Sequence, residues 1–233
     1  MKISVILPAL NEEKNIAKVL KNIKENNNVD EIIVVDNNST DNTGNIAREM
    51  GAKVILCKKR GKGYAMEAGL EVAQGDIVAF VDADICNYKK GFINLLTDPI
   101  VNKKADFVKS TFEREGGRVT ELVAKPLIDI TFPKLSKFDQ PLSGIIAGKK
   151  RLLKKITFEK DYGVDIGILI DMYLNKAKIK QVNIGHITND SQDWKSLIGM
   201  SKQVSGAILR RANISRKLKI RSMEKSGKLN HVL

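Results

Sequence analysis

IVAFVDAD, residues Ile77 to Asp84, is the stretch on which the fold turns. Five apolar residues, Ile77 to Val81, run unbroken into two aspartates one residue apart. A short apolar run ended by polar residues reads as a strand buried on both faces, as in a parallel sheet. In extended backbone Asp82 and Asp84 point to the same side. Two carboxylates so placed can hold a divalent cation against a diphosphate, because hard cations prefer oxygen ligands. The same pair in isolation reads first as an acidic turn in water. The buried strand before it and the loops around it favour the metal reading.

Toward the N-terminus the pattern of strand and polar loop repeats. Ile3 to Leu7 (ISVIL) is a strand ended by Pro8, Glu31 to Val35 (EIIVV) a second, and Lys53 to Cys57 a third. Ile16, Val19, Leu20 and Ile23 carry the spacing of one helix face, with Asn11 as its cap and Glu12 and Glu13 in its first turn. Further helices are expected over Thr43 to Met50, stopped by Gly51, and over Tyr64 to Ala73. Strands alternating with helices imply right-handed crossovers and a mostly parallel, doubly wound sheet. Ligands of such sheets bind beyond the carboxyl ends of the strands. The polar segments PALNEE, DNNSTD, KKRGKG and DAD all face that edge.

The basic loop holds Lys58, Lys59, Arg60 and Lys62 around Gly61 and Gly63. It is a solvated charge run or an anion cradle; glycine lets backbone approach a phosphate and lysine supplies charge. It lacks the spacing of a P-loop, and no GxGxxG follows the first strand. After about residue 110 the pattern changes to apolar runs mixed with glycine and polar residues, as in a second lobe closing over a site. Gly116, Gly117, Arg118 and Thr120 form another anion-friendly group, or a simple turn. Asp165 in YGVDIGILID either caps a helix or orients a hydroxyl. Asp171 reads as surface or structural. His186 in IGHITND is either a surface residue or a nitrogen ligand on a loop returning to the metal; the other histidine, His231, stands in the terminal tail.

Composition narrows the classes. With 42% hydrophobic residues in 233, a sizeable core is available. No apolar stretch approaches the roughly 18–20 residues that span a bilayer, and the N-terminal apolar run is shorter than a secretory signal. A soluble cytoplasmic protein is expected, with Cys57 and Cys86 as free thiols. The net charge is +13, but from Ser201 onward nine Lys/Arg face one acid, so most of it lies at the C-terminus. That end is a solvated helix from about Asp193, a subunit contact in a homodimer, or a peripheral anchor on an anionic membrane. Nucleic-acid binding is disfavoured: aromatic residues are 5% and no recognition motif interleaves with the charge.

Taken in order, ILPALNEE, VVDNNSTDNT, RGKG and VDADI resemble the nucleotide-sugar glycosyltransferases of the GT-A fold. In the second half GGRVTELVAKPLI, QPLSGIIAGKK, YGVDIGILIDMYL and IGHITND resemble the glucosyl-3-phosphoglycerate synthases. The resemblance implies an α/β fold with a Rossmann-like, mostly parallel sheet and a C-terminal acceptor-binding lobe. It makes 1–110 the nucleotide-sugar half and 111–233 the acceptor half of one continuous domain. It implies retaining transfer of glucose from UDP- or GDP-glucose to 3-phosphoglycerate with Mg2+ or Mn2+. Pro8, Ala9, Leu10 and Glu12 would hold base and ribose, with Asp36 and Asn38 beside them. Lys62 and Asp82 would face the nucleotide, and Asp84 and His186 would bind the metal. Gly117, Arg118 and Thr120 would bind phosphoglycerate, with Asp165 near sugar and acceptor. Asp165 stands where the family pattern leads one to expect Glu, and Ile187 where a basic residue is expected. A polyprenyl-phosphate sugar synthase at a membrane surface would share the first half but not these later segments.

Overall fold

A computed structural model of the chain describes residues 1–113, 117–188 and 193–225, with side chains of the last helix as far as residue 213. The elements are β1 (Ile3–Ala9), α1 (Ile16–Lys24), β2 (Glu31–Asp36), α2 (Thr43–Glu49), β3 (Lys53–Leu56), α3 (Lys62–Val72), β4 (Ile77–Phe80) and α4 (Phe92–Val101). There follow β5 (Phe107–Glu113), α5 (Lys125–Thr131), β6 (Ile146–Lys149), α6 (Lys150–Leu153), α7 (Val164–Leu174), β7 (Ile179–His186) and α8 (Trp194–Lys225). A π-helical turn, Thr120–Ala124, leads into α5.

The strands form one sheet in the order β3-β2-β1-β4-β6-β5-β7. β1 pairs in parallel with β2 and β4, β2 with β3, and β5 with β7. β6 runs antiparallel to both β4 and β5. The carboxyl ends of the six other strands therefore share one edge, and the segment entering β6 starts from that edge too. This is the mostly parallel α/β sheet that the alternating pattern predicts.

Alternation along the strands divides the core in two. Val5 and Leu7 face one side, with α1 and α4; Ile6 faces the other, with Met66 of α3 and the apolar residues of α7 and α8. All four residues of β4 are buried, which is what cover on both faces requires. The helix face read at Ile16, Val19, Leu20 and Ile23 is fully buried.

Three local expectations change. β1 continues through Pro8 to Ala9; pairing with β4 ends at Ile6↔Phe80, so the missing proline N–H lies past the ladder on that side. Asn11 does not cap α1. It sits at φ 58 outside the helix, and Asn15 is the residue before Ile16. In the last helix Trp194 and Ile198 are exposed, and the buried face is Val204, Ala207, Ile208 and Arg211.

Candidate active site

Lys62 is the first residue of α3, and the geometry before it sets its direction. Gly61 has φ 142, a conformation that excludes side-chained residues, and a Cβ there would lie 2.2 Å from the Lys160 carbonyl. A Cβ at Gly63 would meet the Glu159 carbonyl at 1.6 Å. The 159–160 segment thus packs directly on the backbone that launches α3. From the other side Asn37, 4% exposed, donates to the carbonyls of Cys57 (3.1 Å) and Lys59 (2.7 Å) and accepts from Gly61 N (2.8 Å). Asn37 therefore staples the basic glycine loop, although the sequence reading chose its neighbours Asp36 and Asn38.

So aimed, Lys62 Nζ bridges two carboxylates, Asp82 Oδ1 at 2.8 Å and Asp165 Oδ2 at 2.9 Å. Burial by itself would lower the lysine pKa, but Asp165 and then Asp82 outweigh it and hold the ammonium well above the ordinary range. Burial pushes Asp165 up despite the adjacent Lys62. Asp165 lies in the first turn of α7 behind Gly163, with no capping bond. Its second oxygen, Oδ1, is buried and has no hydrogen-bond partner among the described residues. Gly144, in the turn before β6, makes room for the cluster: a Cβ would lie 2.3 Å from Lys62 Nζ and 2.6 Å from Asp82 Oδ1. The DAD turn is pinned by Tyr88, whose hydroxyl donates to the Asp82 carbonyl at 2.9 Å and whose ring stacks on Phe92.

The first two loops are bound to one another. Asn11 Oδ1 accepts from Thr40 N at 2.8 Å, and Glu12 N donates to Thr43 Oγ1 at 2.8 Å. Asp36 Oδ1 accepts from Ser39 N, while Gly44 leaves space for Asp36 Oδ2. Pro8, Ala9, Leu10, Glu12, Asp36 and Asn38 accordingly gather at the carboxyl ends of β1 and β2, next to the DAD strand.

Asp84 stands exposed at the open side of this edge. Loss of surrounding water to the protein and then the charge of Asp82 push its pKa up to about 6, with Lys62 opposing. His186, exposed at the end of β7, is tethered to the loop after DAD: Asn87 Nδ2 donates to the His186 carbonyl at 3.2 Å, and Thr188 N donates to Asn87 Oδ1 at 3.0 Å. No three His, Cys, Asp or Glu side chains among the described residues converge into a closed metal cage. Two carboxylates at this edge, with the loop that carries His186 tied to it, have the chemistry to hold a divalent cation if a substrate supplied the remaining ligands.

Beyond β5, Gly117 takes φ 88, Arg118 is exposed with its guanidinium 5.4 Å from the Trp194 ring centroid, and Thr120 is buried. Gly116 and His231 lie outside the described residues. Lys59 and Lys160 both approach the Tyr64 ring, at 5.5 and 5.9 Å. Of its two readings Asp171 takes the structural one: partly buried, it accepts paired hydrogen bonds from the buried Arg211. Sequence reasoning passed over Asn37, Tyr88, Gly144 and Lys109. Lys109 left a signal, as a charge inside the apolar run FVKSTF.

The Glycosyl transferase family 2 model matches residues 4–161. The glucosyl-3-phosphoglycerate synthase of Mycolicibacterium smegmatis is 38% identical over 237 residues, covering 91% of this chain and 78% of that protein. The crystal structure of the Mycobacterium tuberculosis synthase with Mn2+, UDP-glucose and phosphoglyceric acid superposes with a TM-score of 0.86 at 39% identity, covering 91% of this chain and 80% of the other. The same enzyme with Mn2+, UDP and glucosyl-3-phosphoglycerate gives the same TM-score, identity and coverage. Sheet order, the DAD turn and these similarities agree: the chain belongs to glycosyltransferase family 2 and, within it, to the glucosyl-3-phosphoglycerate synthases.

Proposed function

We propose that the chain transfers glucose from UDP-glucose to the hydroxyl of 3-phosphoglycerate, with retention at the anomeric carbon and Mg2+ or Mn2+ as cofactor. The observation that carries the reading is the Lys62–Asp82–Asp165 cluster beside Asp84, in a chain similar to an M. tuberculosis enzyme whose crystal structure is a complex with Mn2+, UDP-glucose and phosphoglyceric acid. Residues 1–110 serve the donor and 111–233 the acceptor.

Pro8, Ala9, Leu10, Glu12, Asp36 and Asn38 hold the uridine. Asp82 faces the nucleotide, and Asp84 and His186 hold the cation together with diphosphate oxygens. When bound, the cation neutralises charge developing on the leaving diphosphate. Lys62, kept protonated by its two carboxylates, adds a fixed positive charge at the same edge. Asp165 Oδ1, buried and without a partner, accepts a donor-sugar hydroxyl. Gly117, Arg118 and Thr120 hold the acceptor's anionic groups, so positioning supplies much of the rate. The anomeric C–O bond to phosphate breaks, a bond to the acceptor oxygen forms on the same face, and the hydroxyl proton passes to the departing phosphate oxygen. No protein base is needed.

A homodimer in the cytoplasm belongs to the proposal. Leu122 and Ile130 are 72% and 79% exposed on the π turn and α5, and Trp194 and Ile198 are 67% and 55% exposed on the neighbouring α8, as a subunit contact would leave them. Cys57 and Cys86 are free. No described helix is long and apolar enough to cross a membrane.

The test incubates the protein with UDP-glucose or GDP-glucose, Mg2+ or Mn2+, and 3-phosphoglycerate or a polyprenyl phosphate, and identifies products by mass. Glucosyl-3-phosphoglycerate from UDP-glucose, abolished by chelator and restored by either metal, is the expected result. Product only on polyprenyl phosphate, or full activity in chelator, would overturn the proposal.

A further inference from the structure

Lys109 lies in the middle of β5 with no exposed surface, and no carboxylate oxygen pairs with it among the described residues. Its ammonium donates to two carbonyls, Ser143 O at 2.6 Å and Asp165 O at 3.1 Å. Burying a lysine without an ion-pair partner is unfavourable. Placing it against the first turn of a helix is unfavourable as well, since that end carries positive dipole charge. Burial accordingly pushes its pKa down to about 7, with Asp165 opposing and Lys62 reinforcing the shift. An apolar residue at this strand position would serve the sheet without these penalties.

The two carbonyls explain the placement. Ser143 precedes Gly144, the residue against whose backbone Lys62 and Asp82 pack. Asp165 carries the other carboxylate on Lys62. One ammonium thus ties the turn behind one arm of the cluster to the helix turn that bears the other. We infer that Lys109 is a positioning residue for glucosyl transfer: by joining the Ser143–Gly144 turn to the first turn of α7, it sets the spacing at which Lys62 meets both Asp82 and Asp165. Neutral Lys109 still has two N–H donors for the two carbonyls, so the tie persists on either side of its titration. The inference rests on the activity proposed above.

The experiment compares wild type, Lys109→Met, Lys109→Gln and Ser110→Ala in the UDP-glucose and 3-phosphoglycerate assay. Each is also titrated with UDP and Mn2+ by calorimetry. Inactive wild type would reject the proposed activity; active wild type makes the variants the test of Lys109. Lys109→Met is expected to lose at least about 30-fold in kcat while UDP affinity changes less than about threefold, because the spacing of the cluster matters most for charge developing in the transition state and less for binding of UDP itself. Lys109→Gln, which keeps one amide donor group, should fall between Met and wild type. Ser110 bonds Ser143 Oγ at 2.6 Å, so Ser110→Ala touches the same turn without touching α7 and should keep kcat within about threefold. Lys109→Met with kcat within threefold of wild type overturns the inference, as does an equal loss in Ser110→Ala. Should Lys109→Met not fold, Lys109→Gln decides: kcat equal to wild type overturns the inference, and a loss with UDP affinity kept supports it.

Discussion

Lys62 on α3 and Asp165 on α7 meet at 2.9 Å across 103 residues of chain. Each is aimed by a different neighbour. Asn37 and the 159–160 backbone direct the start of α3, and the carbonyl of Asp165 is held by Lys109. The pair keeps Lys62 protonated at the sheet edge and leaves one buried Asp165 oxygen without a hydrogen-bond partner among the described residues.

Replacing Asp165 by Ala should leave Lys62 on Asp82 alone and remove the unpartnered oxygen. A loss of about 10²-fold in kcat is expected, the usual scale for one preorganised electrostatic contact. Steady-state kinetics at saturating donor and acceptor check it; unchanged turnover would remove Asp165 from the site.

Gly144→Ala tests the packing of the same cluster. Its backbone has an ordinary φ, so alanine strains nothing locally, but the added methyl would overlap Lys62 Nζ and Asp82 Oδ1. The pair must move apart, and kcat/KM should fall about tenfold or more, since small misplacements of catalytic groups are expensive. Wild-type kinetics in this variant would mean that the cluster's spacing is immaterial.

Arg211 is 6% exposed and reaches two segments: α7, at Asp171, through paired hydrogen bonds at 2.8 Å, and the 157–159 stretch, at the Glu159 carboxylate and the Thr157 carbonyl. Gly167 leaves space for the guanidinium, since a Cβ there would lie 2.9 Å from it. Arg211→Met leaves Asp171 and Glu159 without this partner, and about 3 kcal/mol of stability should be lost. For a domain of this size that lowers Tm by roughly 6–12 °C, which thermal unfolding followed by circular dichroism would detect. A change under about 2 °C would contradict the network's importance.

Lys109 should leave a pH signature on stability. Its folded pKa, about 7, lies below its ordinary 10.5. Between those values the unfolded chain holds a proton that the folded chain does not, so wild-type stability rises with pH across that window. The contribution from this one group is about 1.4 kcal/mol per pH unit in the middle of the window. Lys109→Met lacks it, so the difference between wild type and variant in urea unfolding should grow in favour of wild type from pH 7 to pH 10. A difference independent of pH would show that Lys109 remains charged in the fold.

Much of the architecture could be read locally. The apolar runs at Ile3, Glu31, Lys53 and Ile77 became β1 to β4, and the 16, 19, 20, 23 spacing became the buried face of α1. Those patterns depend on period and burial within a few residues, which neighbouring side chains control. Cap and boundary assignments were weaker. Asn11 went to the loop contact with Ser39 and Thr40 because a tertiary bond outcompeted capping.

By itself, then, the sequence determined a mostly parallel sheet whose loops converge on one edge, with Asp82 and Asp84 at its centre. Tertiary structure alone decided which distant residues meet there. Insertion of β6 between β4 and β5 brings Gly144 beside Asp82 and places Lys109 below Asp165. The Asn87 bonds bring the His186 loop to the DAD loop. Periodicity reports which way a residue faces within its own element. Strand order and close backbone approach follow from packing the whole core, and no local window of sequence contains them.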